Sequence, residues 1–402
     1  MDNQWRIPWS GRSHDLNPED IDFLNDVIRC ADPLTQGKHL ALFEEKLKAY
    51  ISPDKGKVFG LSSATAALEL IAAFLNLSEK DEVIVPAHTF TASALPFLRR
   101  KARIVWADID PETWVISFDD VCSKLTDKTK AIVLVHLYGV PADMDSFCEL
   151  AGDRKIFLIE DAAQAFGASY KGLKIGSFGD FSAYSFHAQK NMTTLGEGGA
   201  LFVKDEDYAE KVPALRSFGA TPFGDREYYW KPAMGNLTSV LDWELPHKFT
   251  ITEIQCAIGH KLLDQVDTLN KKRKARFCEF RNRLAAFPEL KFQEITPSAE
   301  SSYHLMPAKY LGSSLGIQAT RDELIKALAF TYKIQTIVQY YPLYRYDLYQ
   351  EWGCGEANCP NTDDLFDNMI SFPFHVWMND DDFQYMMEST IEALKSLREV
   401  GS

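Results

Sequence analysis

The chain has 402 residues, 46% of them hydrophobic and 25% charged, which is enough to bury a large core and fill more than one domain. Its net charge of −14 argues against nucleic acid or an anionic membrane surface as a main partner. No apolar run reaches transmembrane length, the opening residues lack a signal-peptide core, and the seven cysteines form no Cys-x-x-Cys pair; the expectation is a cytoplasmic protein with reduced thiols and no metal.

In chain order, Arg6 to Asn17 reads as an extended arm containing Pro8, Trp9 and Gly11. Pro18 opens a helix through Ile28, with Glu19 and Asp20 in the first turn, where the helix dipole favours acids. A second helix spans about His39 to Tyr50, with Leu40, Phe43, Leu47 and Tyr50 on one face. Val58–Leu61 is strand-like, and Ser62–Thr65 opens an apolar helix to about Leu77. Such a strand–turn–helix step offers free N–H groups to an anion. Simple N-capping by Ser62 or Ser63 explains the same residues and is favoured on this stretch alone.

Buried-strand runs at Glu82–Pro86, Arg103–Asp108, Lys130–His136 and Lys155–Glu160 alternate with helices at Thr91–Leu98, Ser117–Lys124 and Met144–Gly152. That alternation implies an α/β fold with a parallel sheet covered on both faces. Ligands of such sheets bind beyond the strand carboxyl ends, where Ser62, Phe90, Asp161 and Lys190 fall. No Gly-x-Gly-x-x-Gly follows the first strand, which counts against a dinucleotide site. A long helical pattern from about Thr252 to Leu284 carries Lys271, Lys272, Arg273, Lys274 and Arg276, which read as a solvated face. Beyond it come strands Lys291–Ile295, His304–Tyr310 and Ile334–Tyr340, and a helix over Thr320–Phe330 opened by a Thr320/Glu323 capping box. A final amphipathic helix spans about Asp381 to Arg398, so this is a second, smaller α+β unit.

The stretch from Tyr184 to Gly199 organises the rest. A short apolar strand ends at Ser185-Phe186, Lys190 follows, and Gly196, Gly198 and Gly199 allow a tight backbone path. A lysine partly buried in such a turn has a lowered pKa and a free amine able to attack a carbonyl. Thr65 at a helix start, Asp161 at a strand end and Lys190 then share one explanation. Pyridoxal 5′-phosphate needs a helix N-terminus for its phosphate, a lysine for its aldehyde and a carboxylate for its pyridine nitrogen. Phe90 is placed to cover the ring.

These residues carry a resemblance over nearly the whole chain. Ser62–Leu68, Asp81–Pro86 with Thr89-Phe90, Ile159–Gln164, and Ser185–Asn191 with Gly196–Gly199 stand in one ordered series. The sequence resembles the DegT/DnrJ/StrS family of pyridoxal-phosphate-dependent sugar aminotransferases, of fold type I. That architecture implies a large domain with a mostly parallel sheet sandwiched by helices, plus a smaller C-terminal α+β domain. The expected division is a cofactor-binding domain with its N-terminal arm at 1–260, and an interdomain helix with the small domain at 261–402. The resemblance implies that Lys190 forms the Schiff base and moves the proton, Asp161 pairs with the pyridine nitrogen, and Gln164 reaches the ring hydroxyl. It also implies that Phe90 stacks on the ring while Thr65, Ala66 and Ser185 hold the phosphate. The implied reaction passes an amino group from L-glutamate or glutamine to a keto-sugar, in a homodimer.

Two departures bear on the substrate. Where the family places a partner-subunit phosphate contact, this chain has His247, Lys248 and Thr250, so His247 or Lys248 would take that role. The common Tyr-x-Pro-Leu-His pattern appears here as Tyr340 to Tyr344 followed by Arg345, with tyrosine in place of histidine. His187, Tyr341, Tyr344 and Arg345 are therefore candidate substrate contacts, and Arg345 and Lys248 suit a phosphate. A 3-oxo sugar phosphate or a keto-cyclitol stands as a rival acceptor. Pairing of both cations with surface carboxylates is the plain alternative. A non-catalytic pyridoxal-phosphate-binding regulator is the competing functional class. The dehydratase branch of the family is disfavoured, because it carries histidine where Lys190 stands.

Overall fold

The computed structural model describes residues 4–12, 14–221 and 235–399. The first helices run Pro18–Cys30 (α1) and Lys38–Ile51 (α2). Asn17 and Asp20 form a capping box on α1, and α2 buries Leu40, Phe43, Leu47 and Ile51. The large sheet contains β1 (Lys57–Leu61), β2 (Glu82–Pro86), β3 (Arg103–Ala107), β4 (Thr129–Val135), β5 (Phe157–Asp161), β6 (Phe181–Ser185) and β7 (Gly199–Val203). Its order is β1-β7-β6-β5-β4-β2-β3. Only β7 runs against its neighbours, so the sheet is mostly parallel. β7 was not among the expected strands, because the glycine cluster before it reads as loop. The sheet's centre is dry: Ile132, Val133 and Leu134 of β4 are fully buried. Each such side chain contributes roughly 1.5–3 kcal/mol on leaving water.

The helix Ala64–Phe74 (α3) leaves the end of β1 and lies on the sheet with its whole length beyond the first turn buried. The expected helix at Thr91–Leu98 is divided into a 3₁₀ turn, Thr91–Ser93, and a short helix, Leu95–Arg99, with Pro96 in its first turn. The long helical pattern also breaks, at a 3₁₀ turn over Leu263–Gln265 between Glu253–Leu262 and Val266–Arg283. Arg273 corrects the expectation of a solvated basic face: it is 2% exposed. Its guanidinium donates to the carbonyls of Tyr303, His304 and Phe374.

A second cluster of buried side chains, including Phe277, Phe280, Phe292, Phe372 and Phe383, surrounds a smaller antiparallel sheet. Its strands are β8 (Leu290–Phe292), β9 (Met306–Tyr310) and β10 (Met369–Phe372), in that order. The expected strand at Ile334–Tyr340 is not one. β10 takes the edge beside β9, and the 334–340 segment touches β10 only through the Ile337–Ser371 bridge. Ile334 instead bridges Ile7 of the N-terminal arm. The expected helix at Thr320–Phe330 ends as a regular helix at Lys326 and finishes in a π turn, Ala327–Thr331. A last helix covers Asp380–Glu399.

Candidate active site

Parallel sheets open a crevice beyond their strand ends, and here a cavity of about 540 Å³ occupies it. Asp161, Ser185 and Lys190 line it, with Ser63 and Thr65 from the start of α3. Asp161 is the last residue of β5, and β5 pairs with β6 through Asp161 and Ala183. Its carboxylate accepts the Ser93 hydroxyl at 2.7 Å and the Ala163 amide at 3.2 Å. Burial pushes the Asp161 carboxyl up from its ordinary value, against the pull of Ser93, Ala163 and Lys190.

Lys190 sits in the turn after β6, its amide bonded to the His187 carbonyl at 2.9 Å. Burial lowers its pKa to about 8, with Asp161 opposing the shift. Bonds from the Phe186 amide to Gly198 O, the Ala188 amide to Gly196 O and the Thr194 amide to Phe186 O close the loop around the lysine. Gly199 is required where this loop meets α3, since a Cβ there would lie 2.3 Å from the Ser63 backbone.

The start of α3 forms the third part. Ser63 caps the helix by accepting the Ala66 amide at 3.0 Å, and the Ala67 amide returns to the Ser63 carbonyl. The Ala64 and Thr65 amides precede the first intrahelical bond and lie at the positive end of the dipole. This alters the expectation for Ala66: it is buried, its amide serves the cap, and Ala64 lines the cavity instead.

Phe90 is 55% exposed and borders the cavity, its ring edge-to-face with Tyr340 at 6.2 Å. Gln164 also lines the cavity; it accepts the Tyr138 amide at 2.9 Å and donates to the Tyr340 hydroxyl at 3.3 Å. Behind Asp161, the fully buried Glu160 accepts the amides of Gly176, Phe178 and Gly179 and a bond from His136 Nε2 at 3.1 Å. His136 Nδ1 accepts the Ala142 amide, so Nε2 carries the proton that Glu160 receives. These bonds hold the Glu160 carboxyl below its ordinary value despite its burial.

His187 lines the cavity, but the other candidate substrate contacts lie outside this chain's own cavity. Arg345 donates to Asp363 at 2.5 Å and to Asp367 at 3.4 Å, and the Tyr344 hydroxyl also bonds to Asp363. Tyr341 packs on Tyr346 and Phe366. His247 stacks on Phe249 and lies 3.1 Å from Glu244, while Lys248 lies over the Phe218 ring.

Sequence reasoning missed Ser93, Tyr340, His304 and the arm residues Trp9, Ser10 and Arg12, all of which line the cavity. For Ser93 a signal existed, since it lies three residues beyond Phe90 on one turn. The arm residues arrive through long-range bonds, Trp9 N to Gln335 and Gln189 Nε2 to Ser10 O, which no local pattern encodes.

A desolvated amine, a buried carboxylate and an open helix start on one cavity fit pyridoxal phosphate: Lys190 would hold its aldehyde carbon, Asp161 its ring nitrogen, and the start of α3 with Ser185 its phosphate. The chain matches the DegT/DnrJ/EryC1/StrS aminotransferase family over residues 15–390. It is 31% identical to a spore coat polysaccharide biosynthesis protein of Bacillus subtilis over 90% of this chain and 91% of that one. It is 29% identical to GDP-perosamine synthase of Escherichia coli O157:H7, covering 94% of this chain and 96% of that one. A Streptococcus pneumoniae protein assigned as a sugar aminotransferase, solved in its PLP form, superposes with a TM-score of 0.84 at 29% identity. That alignment covers 97% of this chain and 99% of the other. By this match along nearly its whole length, the chain belongs to the DegT/DnrJ/EryC1/StrS aminotransferase family and is a pyridoxal-phosphate-dependent aminotransferase.

Proposed function

We propose that the chain transfers the amino group of L-glutamate, or of glutamine, to a keto-sugar, as a cytoplasmic homodimer. The observation that carries this is the pairing of Lys190 with buried Asp161 in a cavity whose wall, beside Arg12 and Glu197, includes the aromatic and neutral polar side chains of Trp9, Ser10, Gln189 and Tyr340. Such a wall suits a hydroxylated ring, which needs hydrogen-bond partners and apolar faces together. When bound, pyridoxal phosphate supplies an aldehyde that captures an amine and a ring that takes up an electron pair. Lys190, about half neutral near pH 8, accepts and returns the proton at its Nζ. Asp161 would hold the proton of the ring nitrogen, with Ser93 and Ala163 orienting its carboxylate.

A nucleotide-linked keto-sugar is the favoured acceptor, in keeping with the name of the perosamine synthase relative. The case for a phosphosugar weakens because Arg345 is bonded to Asp363 and Asp367. Besides Lys190, Arg12 is the cationic side chain among the described lining residues; its partner Asp15, at 2.8 Å, is exposed, so exchanging that surface pair for an anionic part of either substrate costs little. Support for the dimer comes from large apolar side chains exposed near His247 and Lys248: Phe218, Leu237, Trp243 and Leu245, the last 79% exposed. The sequence also offers an apolar, aromatic-rich segment from Trp230 to Trp243 that needs covering, of which residues 230–234 lie outside the described residues. Among the described residues no helix is long and apolar enough to cross a membrane.

The test is a panel of acceptors given to the amine-loaded protein: nucleotide-linked keto-sugars, a 3-oxo hexose phosphate and a keto-cyclitol. The expected result is return of the visible cofactor absorbance with a nucleotide-linked sugar. A protein that reacts with none of them, after loading from glutamate or glutamine, refutes the proposal. Sedimentation should show a dimer, and a fully active monomer would remove that part of it.

A further inference from the structure

The turn carrying Lys190 is tied, through the next residue, the buried Asn191, to the helix Val266–Arg283 and to the segment leading into β9. Asn191 Nδ2 donates to Asn270 Oδ1 and to the Ser302 carbonyl, each at 2.7 Å. Asn270 is itself oriented, since its Nδ2 donates to the Phe166 carbonyl at 3.1 Å. Both amide ends of Asn191 are thereby assigned, and its Oδ1 is the atom 2.9 Å from His304 Nδ1. A carbonyl oxygen only accepts, so His304 Nδ1 carries a hydrogen.

The second ring nitrogen decides what His304 can do. Charging the ring would place a second cation beside Arg273, whose guanidinium donates to the His304 carbonyl. Burial, Lys190 and Arg273 all hold His304 well below the ordinary histidine range, and no carboxylate pairs with it among the described residues. The ring is therefore neutral, with its lone pair on Nε2. His304 also lines the cavity, together with Lys190, Tyr340 and His187. With Nδ1 bonded to Asn191, Nε2 is the nitrogen left for a ligand.

We propose that His304 Nε2 accepts a hydrogen bond from a hydroxyl of the acceptor sugar, with Asn191 fixing the ring in the required tautomer. This rests on the keto-sugar reading and adds a residue that selects hydroxylated acceptors. A neutral acceptor at this place leaves the Lys190 amine free of a competing charge, and it discriminates against deoxygenated analogues by leaving Nε2 unpaired.

Two substitutions separate this role from a structural one. Asparagine places its amide near the Nδ1 position, so His304→Asn keeps the bond to Asn191 and loses the acceptor at Nε2. Glutamine places its amide near Nε2, so His304→Gln keeps an acceptor in the cavity and loses the bond to Asn191. The expected result is an acceptor KM about tenfold higher for His304→Asn, the scale of one lost hydrogen bond, and within about threefold of wild type for His304→Gln. Visible absorbance of bound cofactor reports the fold of each variant. Equal effects, the reverse order, loss of cofactor from either variant, or a rise in donor KM in place of acceptor KM overturns the proposal. A wild-type protein that aminates no keto-sugar refutes the proposed function and this inference with it. An active wild type with the reverse order of variants refutes only the role of His304.

Discussion

The loop from Phe186 to Gly199 and the segment from Lys333 to Arg345 both bring residues to the cavity wall, and they are built on opposite principles. The first is closed by its own backbone: Phe186 to Gly198, Ala188 to Gly196, Thr194 to Phe186. Its shape is local, so Lys190 lands where the glycines and β6 put it. The second has few bonds of its own and is held by distant partners. Gln335 bonds Ile7 and Trp9 of the arm, Ile337 bonds Ser371, and Leu343 bonds Ala87. The backbone ring of the first loop closes within its own sequence, and side chains such as Gln189 and Asn191 then reach out from it to Ser10, Asn270 and Ser302. Residues of the second acquire neighbours only when the two sheets come together. Lys190 is thus placed by a local loop, whereas Gln339 and Tyr340 reach the cavity wall only through the assembled segment.

If that division holds, changes at the local site should be the most damaging. Lys190→Ala removes the proposed Schiff-base amine and proton carrier, and turnover should fall at least ~10⁴-fold with the folded circular-dichroism spectrum intact. Borohydride reduction and peptide mapping of the wild type should place the pyridoxyl group on Lys190. Label on another lysine would break the assignment. Asp161→Asn keeps the shape but not the charge proposed to hold a ring proton, and kcat should drop roughly 10²- to 10³-fold. A loss below tenfold would mean that the carboxylate is structural.

The same contrast explains what was legible beforehand. The alternating strands and the positions of Asp161 and Lys190 follow from short-range patterns: apolar runs of strand length, a carboxylate at a strand end, a lysine before glycines. The Ile334–Tyr340 run has the same apolar composition as a strand and is not one, because β10 had already taken the edge beside β9. Composition reports that a segment is buried, not which partner buries it. Glu160 and Arg273 make the point for charge. Both belong to residue types that are normally solvated, and both are buried because backbone groups from remote segments satisfy them. Arg345 reads as a free cation only while Asp363 is 18 residues away in sequence and invisible in space.

Two intermediate effects test how far the local site extends. Ser93→Ala deletes the hydroxyl that Asp161 accepts, so the carboxyl should rise further and kcat should fall about tenfold. An unchanged rate would place Ser93 outside the working site. The lysine itself can be titrated through cofactor uptake by the cofactor-free protein, since only the neutral amine attacks the aldehyde. Its pKa is lowered to about 8, so the neutral fraction grows as pH rises through that value. The uptake rate should increase roughly tenfold between pH 7 and pH 9 and then level off. An ordinary lysine would give a rise of roughly a hundredfold over the same span, still climbing at pH 9.

The smallest effect is expected at Arg345, where the contrast is most exposed to failure. Its guanidinium bonds Asp363 and Asp367, those carboxylates raise its pKa, and Asp363 also receives the Tyr344 hydroxyl. None of these four side chains lines the cavity. Removing the cation should therefore leave kcat and both KM values within about twofold, and cost at most ~1 kcal/mol of stability, as a partly solvated ion pair does. Thermal unfolding and steady-state kinetics of Arg345→Ala measure both. An acceptor KM raised more than about tenfold would show that Arg345 leaves Asp363 and reaches the substrate during turnover. The assembled segment would then belong to the site as directly as the loop that carries Lys190.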